Sequence, residues 1–296
     1  MRGAVGNQAA VCRAILAAIT AIVLLVPTSL PVSAQATVDS ENTYPSVGTV
    51  MVWRVDETGK PVELRGFASG TLIRDRVMLT AGHFTAPATT LGSLPAGIRM
   101  FASFRPTNAR DPGTWIPVVG YATHPSMPKC PPPPQCDPTD EILVAPLEPG
   151  IADVGLVFLA QAPAGITPAR LAEVATLDRS EGQPTTIVGY GTTSPRPRGV
   201  PPDIARWDST RRIRVSRLRR VVDETWALWS IPSYVCSGDS GGGIFLNPSQ
   251  HADPVLVANV SDGGQDCRRH NNNNRLDTRG IQNWIAEAIR KHAGDR

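Results

Sequence analysis

The sequence predicts an all-β protein closed by one C-terminal α-helix, and three observations carry that expectation. Proline and glycine are frequent, 28 and 26 of 296 residues, while aromatic residues make up only 5%, as in many short strands joined by turns. Short apolar runs with strand character recur at residues 47–53, 64–73, 76–80, 98–104, 115–123, 185–191, 226–231 and 255–260. Near the end the period changes. Ile281, Trp284, Ile285 and Ile289 recur at helical spacing behind Thr278, an N-cap residue type, which predicts a helix over about 280–293 with its apolar stripe on the second half of the fold.

The first 34 residues stand apart from this pattern. Arg2 and Arg13 precede an apolar run at 14–26, and Pro27, Pro31 and the small residues Val32-Ser33-Ala34 follow, as in a secretory signal cleaved ahead of Gln35. A retained anchor fits less well, because the run is shorter than the roughly 20 residues of a membrane span. Removing 1–34 takes away two arginines and no acid, so the formal charge falls from +3 to +1. Such a balance points to no nucleic-acid partner and, once the signal is gone, to no membrane; a monomer is expected. The remainder is long enough for one large β domain or two barrels sharing a cleft.

Cysteine usage agrees with export. Cys12 leaves with the signal, and Cys130, Cys136, Cys236 and Cys267 remain, an even number with three possible pairings. Chain order pairs Cys130 with Cys136 across the loop of four prolines. A zinc site is disfavoured: no two of these cysteines have C-x-x-C spacing, and no histidine lies near the first pair.

Residues 195–220 hold nine arginines against Asp203 and Asp208. Polyanion binding is one reading. The alternation of Arg212, Arg214, Arg217 and Arg219 with Ile213, Val215 and Leu218 is read instead as a strand with one solvated face. Similarly, Asn271 to Asn274, with Asp262 and Asp266, lack the spacing of a calcium loop and are expected to form a surface turn.

The chemistry centres on Cys236-Ser237-Gly238-Asp239-Ser240-Gly241-Gly242-Gly243. Glycines this dense add entropy to the cost of folding and supply no side chain to a core, so they belong where backbone must approach something closely. A nucleophilic Ser240 would need a base, a group to orient that base, and N–H donors for an oxyanion. Two upstream runs supply such groups: Val77-Met78-Leu79-Thr80-Ala81-Gly82-His83, and Asp153-Val154-Gly155-Leu156-Val157-Phe158. Asp137, Asp140 and Glu141 are rival carboxylates in a proline-rich polar loop, whereas Asp153 heads an apolar strand that would bury it.

In the order His, Asp, Ser, these stretches resemble the signatures of the trypsin-like (chymotrypsin-fold) serine proteases, from about Tyr44 onward. The resemblance implies two six-stranded antiparallel β-barrels, the first over about 44–165 and the second over about 180–279, followed by the helix. It also implies a secreted serine endopeptidase acting on protein or peptide without cofactor or metal. His83, Asp153 and Ser240 would be the catalytic residues, and the N–H groups of Gly238 and Ser240 the oxyanion hole. Cys236 would pair with Cys267 beside the substrate pocket, where Tyr234 is the base residue, with Ser233 or Val235 in its place if the alignment shifts by one. Ser261, Asp262 and Gly263 would pair with extended substrate.

Several departures are visible. Ala68 and Phe84 stand where the family carries a disulfide beside the histidine, and Phe84 is expected to fill that space. In the family, the aspartate before the nucleophile is held by an N-terminal amine released ahead of Ile-Val-Gly-Gly. No such sequence lies between Gln35 and Tyr44, so Asp239 needs another partner. Two alternative functions follow: a latent protease-like binding protein, should the oxyanion loop collapse, and a serine esterase, whose common motif order is the reverse.

Overall fold

A computed structural model of the chain describes residues 36–91, 93–128, 150–195, 204, 207–230, 234–246, 253–262, 267 and 272–294. The signal-like first 34 residues, the Cys130 to Cys136 loop, Asp137, Asp140, Glu141, Ser233 and Gly263 lie outside these residues.

Six antiparallel strands close the first barrel: β2 (Val47–Val55), β3 (Pro61–Arg74), β4 (Val77–Thr80), β5 (Ile98–Ser103), β6 (Ile116–Thr123) and β7 (Gly155–Leu159), in the order β2-β3-β4-β7-β6-β5. The first hairpin is set locally. Asp56 accepts from the amides of Thr58 and Lys60 and from the Thr58 hydroxyl, and Gly59 supplies the left-handed residue at φ +84°. The strands are apolar on both faces because both are covered: β2 is buried throughout except at Arg54. Val50, Leu72, Met78, Ala102, Val157 and Leu159 fill the barrel, each contributing roughly 1–3 kcal/mol according to its size.

The second barrel is built from β8 (Pro184–Gly189), β9 (Arg212–Val221), β10 (Trp226–Trp229), β11 (Gly243–Leu246), β12 (Val255–Asp262) and β13 (Asn272–Arg275). Pairing of β8 with β9 closes it, and a short N-terminal strand β1 (Thr37–Val38) adds to the free edge of β9 at Arg212 and Ile213. Its interior holds Ile187, Leu218, Ala227, Trp229, Ile244, Val257 and Val260. A third cluster belongs to both barrels, uniting Val47, Phe67, Leu79 and Leu156 with Val188, Tyr190, Phe245 and Leu256. Tyr44 and Phe245 meet across it at 5.0 Å, and Trp207 stacks on Phe67 at 3.9 Å.

Three expectations are corrected here, and one element is added. The solvated arginine face of β9 holds only in its second half, where Arg217 and Arg219 are exposed on either side of buried Leu218; Arg212 and Arg214 are buried, Arg214 at 1% exposure, while Val215 is 44% exposed. Asn272–Arg275 is not a surface turn but strand β13, with Asn273 and Asn274 fully buried between β10 and β12. A helix α1 (Gly82–Leu91) follows β4, which no helical period had announced and which carries Pro87 inside. The C-terminal helix α2 (Arg279–Gly294) buries Ile281 and Ile285 in the shared cluster but ends on the first barrel. There His292 stacks on Phe158 at 3.7 Å, over Gly120, where a Cβ would lie 2.4 Å from the imidazole.

Candidate active site

The run of apolar residues in β4 ends at Thr80, and the chain turns into α1 through Ala81 and Gly82. Gly82 is required by crowding, since a Cβ there would lie 2.9 Å from the Val154 amide nitrogen. That close approach brings His83 against Asp153. The His83 amide donates to Asp153 Oδ1 at 2.7 Å, and its Nδ1 lies 2.8 Å from Oδ2. Two bonds to one carboxylate fix the imidazole in a single orientation. The histidine side chain is 16% exposed and the carboxylate not at all.

Burial alone would push the Asp153 carboxyl up. The charge and hydrogen bond of His83, joined by the Ser261 hydroxyl and the His83 amide, outweigh it and hold the group below the usual carboxylate range. Ser261 Oγ donates to Oδ2 at 2.5 Å. The Ser261 side chain is therefore turned inward to Asp153, not toward a substrate; its backbone alone remains for strand pairing. Asp262 ends β12 opposite Asn272.

The serine loop is shaped by one tight turn. Asp239 donates its amide to the Cys236 carbonyl at 3.0 Å, with Gly238 at φ +89°, the signature of a type II turn that needs glycine at its third residue. Phe67 closes over it: a Cβ on Gly238 would sit 2.0 Å from the ring. Among the described residues, no hydrogen bond engages the amides of Gly238 or Ser240. Cys236 is bonded to Cys267, which pins the turn from the far side. Tyr234, next to it, is half-buried and itself left-handed at φ +54°.

The loop is seated on the first barrel by Ser69. The Ser69 amide donates to the Ser240 carbonyl at 2.9 Å, and its hydroxyl donates to the Gly238 carbonyl at 2.7 Å while accepting from the Tyr190 amide at 2.8 Å. Gly241 fits where a Cβ would be 2.4 Å from the Ser69 carbonyl and 2.6 Å from the Ala81 nitrogen, two residues before His83. The Gly241 amide donates to Val260, beside Ser261. Ser240, like His83, is partly exposed.

Asp239 has a partner that sequence reasoning missed. Arg214 NH1 donates to Oδ1 at 3.1 Å and NH2 lies 3.0 Å from Oδ2, with both side chains fully enclosed. The amides of Gly191 and Cys236 add bonds at 2.8 and 2.9 Å. Space for the carboxylate comes from Gly189 and Gly191, where a Cβ would come within 2.4 and 2.2 Å of it. A buried arginine one strand away from the loop leaves no local trace in the sequence. Nor do Asn259 and Asn274, whose side-chain amides reach the peptide of Asp153. Among the described residues no group of three or more His, Cys, Asp or Glu is arranged to hold a metal.

No family model and no curated protein matches the chain. Its fold is found among solved structures. One described as "Structure of GrC" aligns over 86% of this chain and 98% of its own, with a TM-score of 0.55 at 17% identity. The chain has the chymotrypsin-like fold: two closed six-stranded antiparallel barrels and a C-terminal helix.

Proposed function

We propose that the protein is a secreted serine endopeptidase working through Ser240, His83 and Asp153. The observation that carries this reading is the paired capture of His83 by the buried Asp153 carboxylate, at 2.7 and 2.8 Å. Removing solvent around a hydrogen-bonded carboxylate costs stability, and an oriented, partly exposed imidazole is what that cost secures. In the proposed reaction, His83 Nε2 takes the Ser240 hydroxyl proton as Oγ attacks a peptide carbonyl, and returns it to the leaving amine. Asp153 holds the tautomer and stabilises the imidazolium. The unengaged amides of Gly238 and Ser240 receive the oxyanion, each such donor contributing roughly 2.7–4 kcal/mol to the transition state. Water, activated by the same histidine, then releases the acyl group.

Arg214 bears on the choice between enzyme and latent binding protein. Collapse of the loop for want of a counter-ion to Asp239 was the ground for latency, and a buried guanidinium supplies that counter-ion. The signal-like start and the Cys236–Cys267 disulfide support export. Tyr234 is proposed to lie at the base of the substrate pocket, with Asp262 and Gly263 pairing with extended substrate; Tyr234 offers no carboxylate to select lysine or arginine.

Labelling of the purified chain with a fluorophosphonate probe tests this. The wild type is expected to react, and Ser240→Ala and His83→Ala are not. A folded wild type that stays unlabelled overturns the reading.

A further inference from the structure

Asp153 belongs to the first barrel, where His83 meets its carboxylate, yet three further side chains that bond it belong to the second. Its amide donates to the Asn274 side-chain oxygen, and its carbonyl accepts from Asn259 Nδ2 at 3.1 Å. Its carboxylate accepts from Ser261, two residues along β12 on the same face as Asn259. Asn259 on β12 and Asn274 on β13 stand directly opposite each other and are both fully buried. Each has one amide atom left over, an acceptor on Asn259 and a donor on Asn274. Two buried amides with unused capacity are costly in a β interior, where an apolar pair would pack without penalty. Their polar ends are matched to the main-chain N–H and C=O of a single residue, Asp153, on the two peptide groups that flank it.

We infer that Asn259 and Asn274 form a clamp of positioning residues: by holding the main-chain N–H and C=O of Asp153, they fix the carboxylate under His83 and lock the histidine-bearing barrel to the serine-bearing one. This rests on the proposed triad and adds to it the groups that set its registry. Ser261 restrains one carboxylate oxygen, but a carboxylate on a free peptide swings. Only the pair on N–H and C=O fixes the residue itself. A misplacement of about 1 Å costs roughly 100-fold in rate.

The test compares Asn259→Ala and Asn274→Leu with Ile285→Val, an apolar trim in the same interface. The clamp predicts that fluorophosphonate labelling falls roughly 10- to 100-fold in the two asparagine variants, while Ile285→Val labels like wild type. Asn274→Asp keeps the acceptor and adds charge near His83. It is expected to recover most of the rate at neutral pH, with the acid limb of the labelling profile moved to higher pH.

A second readout is independent of activity: the low-field Nδ1 proton resonance of His83 in the folded protein. It should be present in the wild type and in Ile285→Val, and broadened or lost in Asn259→Ala and Asn274→Leu. Variants that fold and keep both the resonance and the wild-type labelling rate overturn the clamp. A wild type that shows the resonance but is never labelled instead counts against the protease reading, and the resonance of the variants still decides the clamp.

Discussion

Arg214 and Asp239 are in direct contact, both at 0% side-chain exposure, the guanidinium meeting the carboxylate at 3.0 and 3.1 Å. The pair joins β9 to the turn that precedes Ser240. It ties the shape of that turn to the barrel interior.

Replacing Arg214 by glutamine leaves Asp239 as an uncompensated buried charge, which typically costs about 3–5 kcal/mol. Lower urea midpoints and loss of fluorophosphonate labelling are the expected outcome. Extra residues placed ahead of residue 36 should leave labelling unchanged. Labelling should also persist above pH 9, where an α-amino group of pKa about 8 has lost its charge. Inactivation by the extension would show that a free terminus does take part.

Gly238→Ala should damage the site at its turn. The new Cβ meets Phe67 at 2.0 Å and demands φ +89° of an L-residue. The turn must rearrange, and labelling is expected to fall at least about 100-fold, in line with loss of an oxyanion donor. Trimming the ring with Phe67→Ala in the same chain relieves the clash but not the backbone strain, so only partial recovery is expected. Full recovery would assign the defect to the ring alone.

Asp39 and Arg211 form a second enclosed ion pair at 2.8 Å, through which the segment after β1 is tied to the start of β9. Arg211 also donates to the Val47 carbonyl at 2.7 Å. Asp39→Ala strands the guanidinium and is expected to lower stability by about 3–5 kcal/mol, read from urea unfolding. A change within experimental error would mean that solvent reaches the pair.

His124 gives the protein a pH dependence of predictable sign. Burial holds its imidazole below the usual value of 6.5, its Nδ1 lies 2.8 Å from the Ser126 hydroxyl, and its ring meets the edge of Trp284 at 5.1 Å. The unfolded chain therefore takes the proton more readily. The contribution to stability is complete above about pH 6.5 and is lost as pH falls through the lowered folded value. His124→Phe should narrow the difference in urea midpoint between pH 7.5 and pH 5. An undiminished difference would place the acid sensitivity elsewhere.

Breaking the Cys236–Cys267 bridge, as a double serine variant, opens a loop of 31 residues. The loop-closure relation gives about 3–4 kcal/mol of lost stability, measurable by chemical denaturation. A much smaller loss would mean that the loop is already constrained in the unfolded chain.

The strands and the ends of the site were legible because their signals are local. Apolar runs mark β2, β4, β7 and β12 within a residue or two, and glycine density marks the Ser240 turn. What was not legible depends on which face of a strand turns inward. On β9, arginines occupy both faces, so alternation between Arg214 and Val215 gives no direction, and only closure of the barrel against Asp239 decides it. Asn272 to Asn274 look like a turn by composition. They form a strand because the peptide of Asp153 and the neighbouring strands satisfy groups that would otherwise go to water. Likewise Ser261 is drawn inward by a carboxylate 108 residues earlier. Helix α1 has no apolar period, since its residues are placed by contacts with β6 and β7.

Ser69 sits at a crossing of chain segments: its main chain and hydroxyl meet residues 80, 190, 238 and 240. During synthesis those partners emerge in sequence, and Asn274, on the last strand β13, emerges after all of them. A chain released early, or cut between the barrels, keeps a histidine without its serine or a serine without its histidine. For the activity proposed above, this topology would make assembly of the site the closing step of folding, completed when strand β13 docks.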